Sequence, residues 1–346
     1  MKMKFSKFDL KLAHEWTVAS GLKTGKKIFE VVLLDLTDAQ GVMGLGESAP
    51  ASRYKEDANS VMTFLQNVDA NRLSFDDIAS SMNYLETMPG NYAAKNAVNI
   101  ALLDGAARKA GQPVYDFLKL GFTEKRHVTS FSIGIDKPEV IRKKVFEAEP
   151  YPILKLKVGG PDDKENMAAL REAAPKKTVR IDANEGWKTR EEALQNLEWF
   201  AQDKNIEFCE QPMHASTLRA DWVWLKARTP IPIFADESFH HAKDAEYCAE
   251  CFHGVNAKLI KTGGISGAYD ALQAARKLGL KTMIGCMIET SILTSAAAHL
   301  AALTDHLDID GNLLITNDPY IGPTSVNGKI SFDTATEKTG LRVRAR

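Results

Sequence analysis

The chain has 346 residues, with 44 basic and 45 acidic side chains and a formal net charge of -1. This length allows one barrel of roughly 200 to 250 residues and a smaller companion domain. The balanced charge creates no global field toward nucleic acid or a membrane surface, so we expect a small-molecule partner. Four cysteines do not indicate a disulfide framework, and no segment has the roughly 18 apolar residues of a membrane span. We expect a cytoplasmic protein, with a homo-oligomer left open.

The first 120 or so residues have a mixed α+β pattern. Residues 29–37 predict a strand, and the polar turn at 38–41 leads to a second strand at 42–46, so we expect a hairpin. Helical patterns follow over 54–64 and 93–110, and the second stops at a Gly and a Pro.

From residue 126 onward, short apolar runs alternate with amphipathic helices, which is typical of a parallel sheet covered by helices. A barrel and a doubly wound sheet both fit this pattern, and a count of eight strands favours closure into a barrel. No Gly-x-Gly-x-x-Gly follows any of these strands, so a dinucleotide-binding fold has no support. The predicted strands are 128–134, 153–158, 179–182, 206–210, 231–236, 255–261, 281–285 and 307–314.

Three acidic residues stand where successive predicted strands end. Asp182, Glu210 and Asp236 are separated by 28 and 26 residues, each about one βα unit. In a barrel these strand ends meet at one face, where active sites are built. One such acid alone could be a helix cap or a solvated group, but three in phase would repel one another without a cation. Oxygen ligands with room for water and a carboxylate suit Mg2+ better than zinc.

Three lysines accompany these acids. Lys155 and Lys157 lie two apart in one predicted strand, so their side chains point to the same side of the sheet. Lys261 ends the sixth predicted strand, opposite the second in an eight-stranded barrel. Exposed edge lysines are the alternative. Lysines on both sides of a bound substrate could move a proton, because the pKa of lysine falls readily on desolvation.

These residues stand in segments that resemble the enolase superfamily, muconate-lactonizing subgroup, over essentially the whole chain. The segments LKLKVGG, RIDANEGW, FCEQP, FADES and KLIKTGG follow one another in the order and at the distances of that family. The resemblance implies a modified (β/α)7β barrel of the TIM type at 126–324. It also implies an N-terminal α+β capping domain at 1–125, onto which residues 325–346 pack back.

The resemblance also implies roles for the acids and lysines. Asp182, Glu210 and Asp236 would bind Mg2+, and Lys157 and Lys261 would form the acid/base pair. Lys155 would help to neutralise a substrate carboxylate.

Within the subgroup, the chain resembles dipeptide epimerases of the L-Ala-D/L-Glu epimerase type. Asp308 and Asp310, after the eighth predicted strand, look like the Asp-x-Asp motif by which these enzymes hold an α-ammonium group, although a solvated acidic loop is the alternative. Ser132, Met287 and Ile288 match positions of the substrate pocket, and the last two could equally be core residues.

One position departs from that pattern. Epimerases that act on Ala-Glu resemble one another in an arginine that clamps the glutamate side chain, and this chain places Lys23 there. Lysine cannot form the bidentate fork of arginine, so a neutral or apolar second residue stays open.

The sequence therefore predicts an isomerase, a Mg2+-dependent dipeptide epimerase that inverts the C-terminal residue of an Ala-Xaa dipeptide. The alternatives are o-succinylbenzoate synthase, a cycloisomerase or an N-acylamino acid racemase, which would use the same acids and lysines. A binding protein on a barrel that has lost catalysis is a further alternative, against which the intact lysines argue.

Overall fold

The computed structural model describes residues 1–19 and 25–346. Its N-terminal part is built on an antiparallel sheet with the order β1 (Lys2–Trp16), β2 (Lys26–Thr37) and β3 (Met43–Ser48). The predicted hairpin at 29–37 and 42–46 is confirmed as β2 and β3. The long strand β1 was not predicted, although its apolar side chains alternate with lysines over much of its length.

Four helices follow: α1 (Ala58–Gln66), α2 (Ile78–Glu86), α3 (Tyr92–Lys109) and the short α4 (Val114–Phe117), of which α1 and α3 pack on the sheet and α2 and α4 pack on α3. The predicted helix at 54–64 begins later, because Asp57 caps it in a capping box with Ser60. Helix α3 lies directly on β3. A side chain at Gly44 or Gly46 would come within 2.0 or 2.1 Å of a carbonyl oxygen of α3, so the close contact requires glycine.

The remainder forms a barrel. Its strands are β4 (Phe131–Ile133), β5 (Ile153–Lys157), β6 (Thr178–Asp182), β7 (Ile206–Glu210), β8 (Ile233–Ala235), β9 (Gly254–Lys258), β10 (Lys281–Gly285) and β11 (His306–Asp308). They pair in parallel in chain order, and a parallel bridge between Thr129 and Leu307 joins the two edges. A doubly wound sheet would reverse its strand order, so the structure selects the predicted barrel.

The helices between these strands are α5 (Pro138–Glu147), α6 (Asp163–Ala173), α7 (Arg190–Phe200), α8 (Arg219–Lys226), α9 (Ala245–Cys251), α10 (Leu259–Thr262), α11 (Ile265–Lys277) and α12 (Ser291–Ala298). A covering helix follows each of the first seven strands, as in the predicted (β/α)7β form. A short 3-10 turn over residues 311–313 follows the eighth.

Two barrel strands end three or more residues before their predicted ends. The sixth ends at Lys258, and residues 259–262 form α10, which Gly263 closes with a φ of 80°. The eighth ends at Asp308 rather than at 314. The first correction places Lys261 in a helical turn and leaves Lys258 as the last residue of its strand.

The C-terminal segment returns to the N-terminal part of the molecule. It contains the short strands β12 (Tyr320–Ile321), β13 (Thr324–Val326), β14 (Lys329–Ser331) and β15 (Arg344–Ala345). The Val114 amide donates to the Gly340 carbonyl at 2.9 Å, and the Leu341 amide donates to Asp104 Oδ1 at 2.6 Å. The domain boundaries at 125 and 324 stay predictions.

Buried His299, at the end of α12, joins three parts of the chain. Its Nδ1 accepts from the Tyr115 amide at 3.1 Å, and its Nε2 lies 3.2 Å from the Leu341 carbonyl oxygen. Burial lowers the pKa of His299 to about 3, so the ring is neutral at ordinary pH. Across the described ranges, no helix is both long and apolar enough to cross a membrane.

Candidate active site

At the carboxyl ends of the barrel strands, the last residues of neighbouring strands pair with one another. Two such groups of paired residues lie on opposite sides of the barrel. In β5, β6 and β7, Lys157 pairs with Asp182 and Asp182 with Glu210. In β9, β10 and β11, Gly285 pairs with both Lys258 and Asp308. Strands β5 and β9 are the second and sixth of eight, so Lys157 and Lys258 approach the barrel axis from opposite directions.

The three predicted metal ligands lie together. One carboxylate oxygen from each of Asp182, Glu210 and Asp236 falls within 4.8 Å of the others, and all three side chains are fully buried. Burial and the charge of Asp182 raise the pKa of Glu210 to about 7. The charge of Lys155 offsets these effects only in part, and a bound divalent cation would offset them further. The oxygen-only donor set fits a hard cation.

Lysine ammonium groups contact the triad from the β5 side. Lys157 Nζ lies 2.6 Å from Asp182 Oδ2, and Lys155 Nζ lies 3.1 Å from the same oxygen and 2.7 Å from Glu210 Oε2. Lys155 also reaches Asp308 Oδ2 at 2.6 Å. Lys155 is therefore shared among carboxylates, whereas Lys157 has Asp182 as its ion-pair partner in the described part of the chain.

Two lysines contact Asp236 from the opposite side, and they differ in what surrounds them. Lys258 Nζ lies 2.7 Å from Asp236 Oδ2 and borders the central cavity. Lys261 Nζ lies 2.6 Å from Asp236 Oδ1 and also donates to two carbonyl oxygens, of Asp236 and Asn256. The Lys261 side chain is fully buried and does not border that cavity. The sequence interpretation did not consider Lys258.

Burial would raise the pKa of Asp236, but the charges of Lys258 and Lys261 hold it well below its ordinary value. The neighbouring acid behaves in the opposite way, since burial and the charge of Asp236 raise the pKa of Glu237 to about 8. Glu237 also borders the cavity and is a further residue that the sequence interpretation missed.

The two acids of the Asp-x-Asp motif are both buried but have different partners. Asp308 accepts from Lys155 and, at 2.6 Å, from the Ser130 hydroxyl. Asp310 accepts from the Ser132 amide at 2.5 Å and lies 3.3 Å from the Ser132 hydroxyl. Burial and the nearby Asp308 raise the pKa of Asp310 to about 7. Asp310 therefore has less compensating charge than Asp308.

A cavity of about 390 Å3 joins these groups. At the carboxyl ends of the barrel strands it is bordered by Lys155, Lys157, Lys258, Asp308 and Asp310. The predicted pocket residues Ser132, Met287 and Ile288 also border it, together with Trp16 of the N-terminal sheet. Lys157 Nζ lies 5.9 Å from the centre of the Trp16 ring. Lys23 lies outside the described residues.

A buried triad of acids and opposed lysines at the mouth of a (β/α)7β barrel defines the class of protein. The chain belongs to the enolase superfamily. Residues 14–119 match the mandelate racemase / muconate lactonizing enzyme N-terminal domain, and residues 140–333 match the enolase C-terminal domain-like family.

Individual relatives are similar over almost the whole chain. The L-Ala-D/L-amino acid epimerase of Pedosphaera parvula is 64% identical, and the match covers 100% of both chains. The L-Ala-D/L-Glu epimerase of Bacteroides thetaiotaomicron is 39% identical over 96% of this chain and 86% of its own. A dipeptide epimerase from Cytophaga hutchinsonii, solved with Mg and the dipeptide D-Ala-L-Val, has 29% identity and a TM-score of 0.91. That match covers 99% of this chain and 95% of the solved chain.

Proposed function

We propose that this protein is a Mg2+-dependent dipeptide epimerase, an isomerase that inverts the α-carbon of the C-terminal residue of an Ala-Xaa dipeptide. The observation that carries the proposal is the position of Lys157 and Lys258 on opposed strands, with a buried carboxylate triad between them. The names of the relatives support the same reaction class.

Asp182, Glu210 and Asp236 are the proposed metal ligands, because their oxygens converge in a fully buried site where burial and the charge of Asp182 raise the pKa of Glu210. A divalent cation bound there supplies electrostatic stabilisation of negative charge on the substrate carboxylate. Lys155 contributes a second positive charge for that carboxylate, since it already reaches two of the three acids.

The proposed acid/base pair is Lys157 and Lys258. One of them, as the neutral amine, takes the α-proton, and the other, as the ammonium, returns a proton to the opposite face of the planar carbon. The carbon loses one proton and gains one, so only its configuration changes. Lys258 replaces Lys261 in this assignment because Lys258 borders the cavity, whereas Lys261 is enclosed by protein oxygens.

Asp308 and Asp310 are the proposed partners of the α-ammonium group. Because Asp308 is already paired with Lys155, Asp310 has the charge that a substrate cation would neutralise. Ser132 holds Asp310 in place through its amide. Met287 and Ile288 are apolar residues of the cavity wall, and we assign them to contact with a neutral or apolar second residue of the dipeptide.

Proton exchange in deuterated water tests the proposal. A set of Ala-Xaa dipeptides, followed by proton NMR and chiral chromatography, should show deuterium uptake at the C-terminal α-carbon and loss of its configuration. The control is the same set with an acetylated N-terminus. A charge-assisted contact of about 1.5 to 3 kcal/mol predicts roughly ten- to a hundred-fold lower kcat/KM for the acetylated compounds. Equal turnover would favour an N-acylamino acid racemase instead.

A further inference from the structure

The loop of residues 51–54, here called the capping loop, joins the N-terminal part of the protein to the barrel mouth. Arg53 donates two hydrogen bonds to Glu185, from Nε to Oε2 at 2.6 Å and from Nη2 to Oε1 at 2.7 Å. Glu185 follows β6, three residues after the proposed ligand Asp182. This parallel fork is the most directional pairing that arginine makes with a carboxylate.

The Glu185 end of this contact is firmly held. Its side chain is only 6% exposed, and its Oε1 also accepts from the Ala215 amide at 2.7 Å. The Glu185 amide donates to the Gln211 carbonyl at 2.9 Å, next to the proposed ligand Glu210. Its φ of 65° is unfavourable for a residue with a side chain and persists because these contacts over-determine it.

The Arg53 end is part of the cavity wall. All four residues of the capping loop border the same cavity as Lys157 and Lys258. Tyr54 packs edge-on against the ring of His240, which follows β8, with the ring centres 5.3 Å apart. The position of the capping loop therefore sets the shape of the cavity above the reacting lysines.

We propose that Arg53 is a positioning residue for the epimerase reaction, whose fork on Glu185 fixes the capping loop against the loops that follow the metal-binding strands. The inference rests on the proposed function. The Arg53 side chain is 39% exposed, and ion pairs at such exposure add little to global stability. The contact instead holds the cavity wall at a fixed position relative to the proposed metal ligands.

Four variants test this role: Arg53→Lys, Glu185→Gln, the double variant, and Arg142→Lys as a matched control. Lysine keeps the charge but loses the fork, and a glutamine amide has one acceptor oxygen and no charge, so it cannot form the two parallel charge-assisted bonds. Arg142 also donates twice to a carboxylate, that of Glu172, but at an exposed site that does not border the active-site cavity.

Each single variant should lower kcat/KM by about ten- to a hundred-fold, mainly through KM, because a displaced wall loses binding contacts with the substrate. The double variant should lose no more than the worse single variant, since both remove the same contact. The control should stay within about twofold of the native enzyme, and all four should keep the native melting temperature and metal affinity.

Hydrogen exchange provides a second measurement that needs no turnover. The Tyr54 and Lys55 amides donate to carbonyl oxygens of the capping loop at 2.9 Å each, and they should exchange faster in Arg53→Lys than in the control. Unchanged kinetics together with unchanged exchange would overturn the proposal. So would a parallel fall in kcat, metal affinity and melting temperature, which indicates general structural damage. Faster exchange in a protein that epimerises no dipeptide would reject the proposed function and leave the loop contact standing.

Discussion

Replacing Lys258 by methionine provides the sharpest test of the two-lysine arrangement. Methionine keeps most of the aliphatic bulk and removes the ammonium group that borders the cavity. If Lys258 serves one face of the α-carbon, exchange of the α-proton from one epimer should fall by about 10² to 10⁴, as expected for loss of a positioned acid or base. Exchange from the other epimer should persist, because Lys157 lies on β5, across the barrel from Lys258 on β9.

Lys261→Met should behave differently because Lys261 is enclosed. Its ammonium group has three protein oxygens as partners, two of them on Asp236. Removing one member of a buried ion pair costs about 3 to 5 kcal/mol of stability, since the remaining charge and the carbonyl groups lose their partner. We expect a lower melting temperature, weaker metal binding, and equal loss of exchange from both epimers.

The assay follows each enantiopure epimer separately in deuterated water by proton NMR, with metal content and melting temperature measured on the same preparations. Lys157→Met serves as the mirror-image control and should lose exchange from the epimer that Lys258→Met retains. A folded, metal-loaded Lys261→Met that loses exchange from one epimer only, beside a Lys258→Met that exchanges both, would return the catalytic role to Lys261.

Three further predictions concern the metal, the ammonium site and acid stability. Exhaustive chelation should abolish turnover and added Mg2+ should restore it, whereas Asp236→Asn should bind Mg2+ weakly in calorimetry; full activity in chelator contradicts the metal assignment. Because the pKa of Asp310 is raised to about 7, kcat/KM for a free dipeptide should rise as pH increases through about 7, and Asp310→Asn should lack that rising limb. If the rise of kcat/KM with pH persists in Asp310→Asn, the titration of another group causes it. His299, whose pKa is lowered to about 3, stays neutral in the folded state while the unfolded chain takes up a proton below pH 6.5. Its contribution to stability is therefore lost as pH falls from 6.5, by about 1.4 kcal/mol per pH unit. The free energy of unfolding in urea should accordingly depend less steeply on pH in His299→Phe between pH 6.5 and 4, and an unchanged slope would contradict this account.

Much of the barrel could be predicted from the sequence because its strands and helices have different hydrophobic periods. The strand predictions at 153–158, 206–210 and 281–285 agree with β5, β7 and β10 to within a residue. The regular spacing of Asp182, Glu210 and Asp236 was enough to predict that they lie close together, since parallel strands align their carboxyl ends. These features depend on local pattern and on topology, both of which a single sequence carries.

The contacts between distant segments could not be predicted in this way. Arg53 and Glu185 are 132 residues apart, and Lys155 and Asp308 are 153 apart. No periodicity links such pairs, because their approach depends on how the capping loop sits on the barrel and on how the barrel closes. The ion pair of Asp308 with Lys155 consequently gives different surroundings to two acids that look equivalent in Asp-Ile-Asp.

Lys258 is a different case, because a signal for it was present in the sequence. In β5, side chains two residues apart point to the same face, which places both Lys155 and Lys157 toward the carboxylates. The same rule in β9 pairs Asn256 with Lys258, and the structure has Asn256 donating to Glu210 while Lys258 contacts Asp236. Lys261 lies three residues beyond Lys258, an odd number, so a strand long enough to contain both would have turned them to opposite faces. Both reach Asp236 only because the strand stops at Lys258 and a helical turn carries Lys261 back beneath the carboxylate.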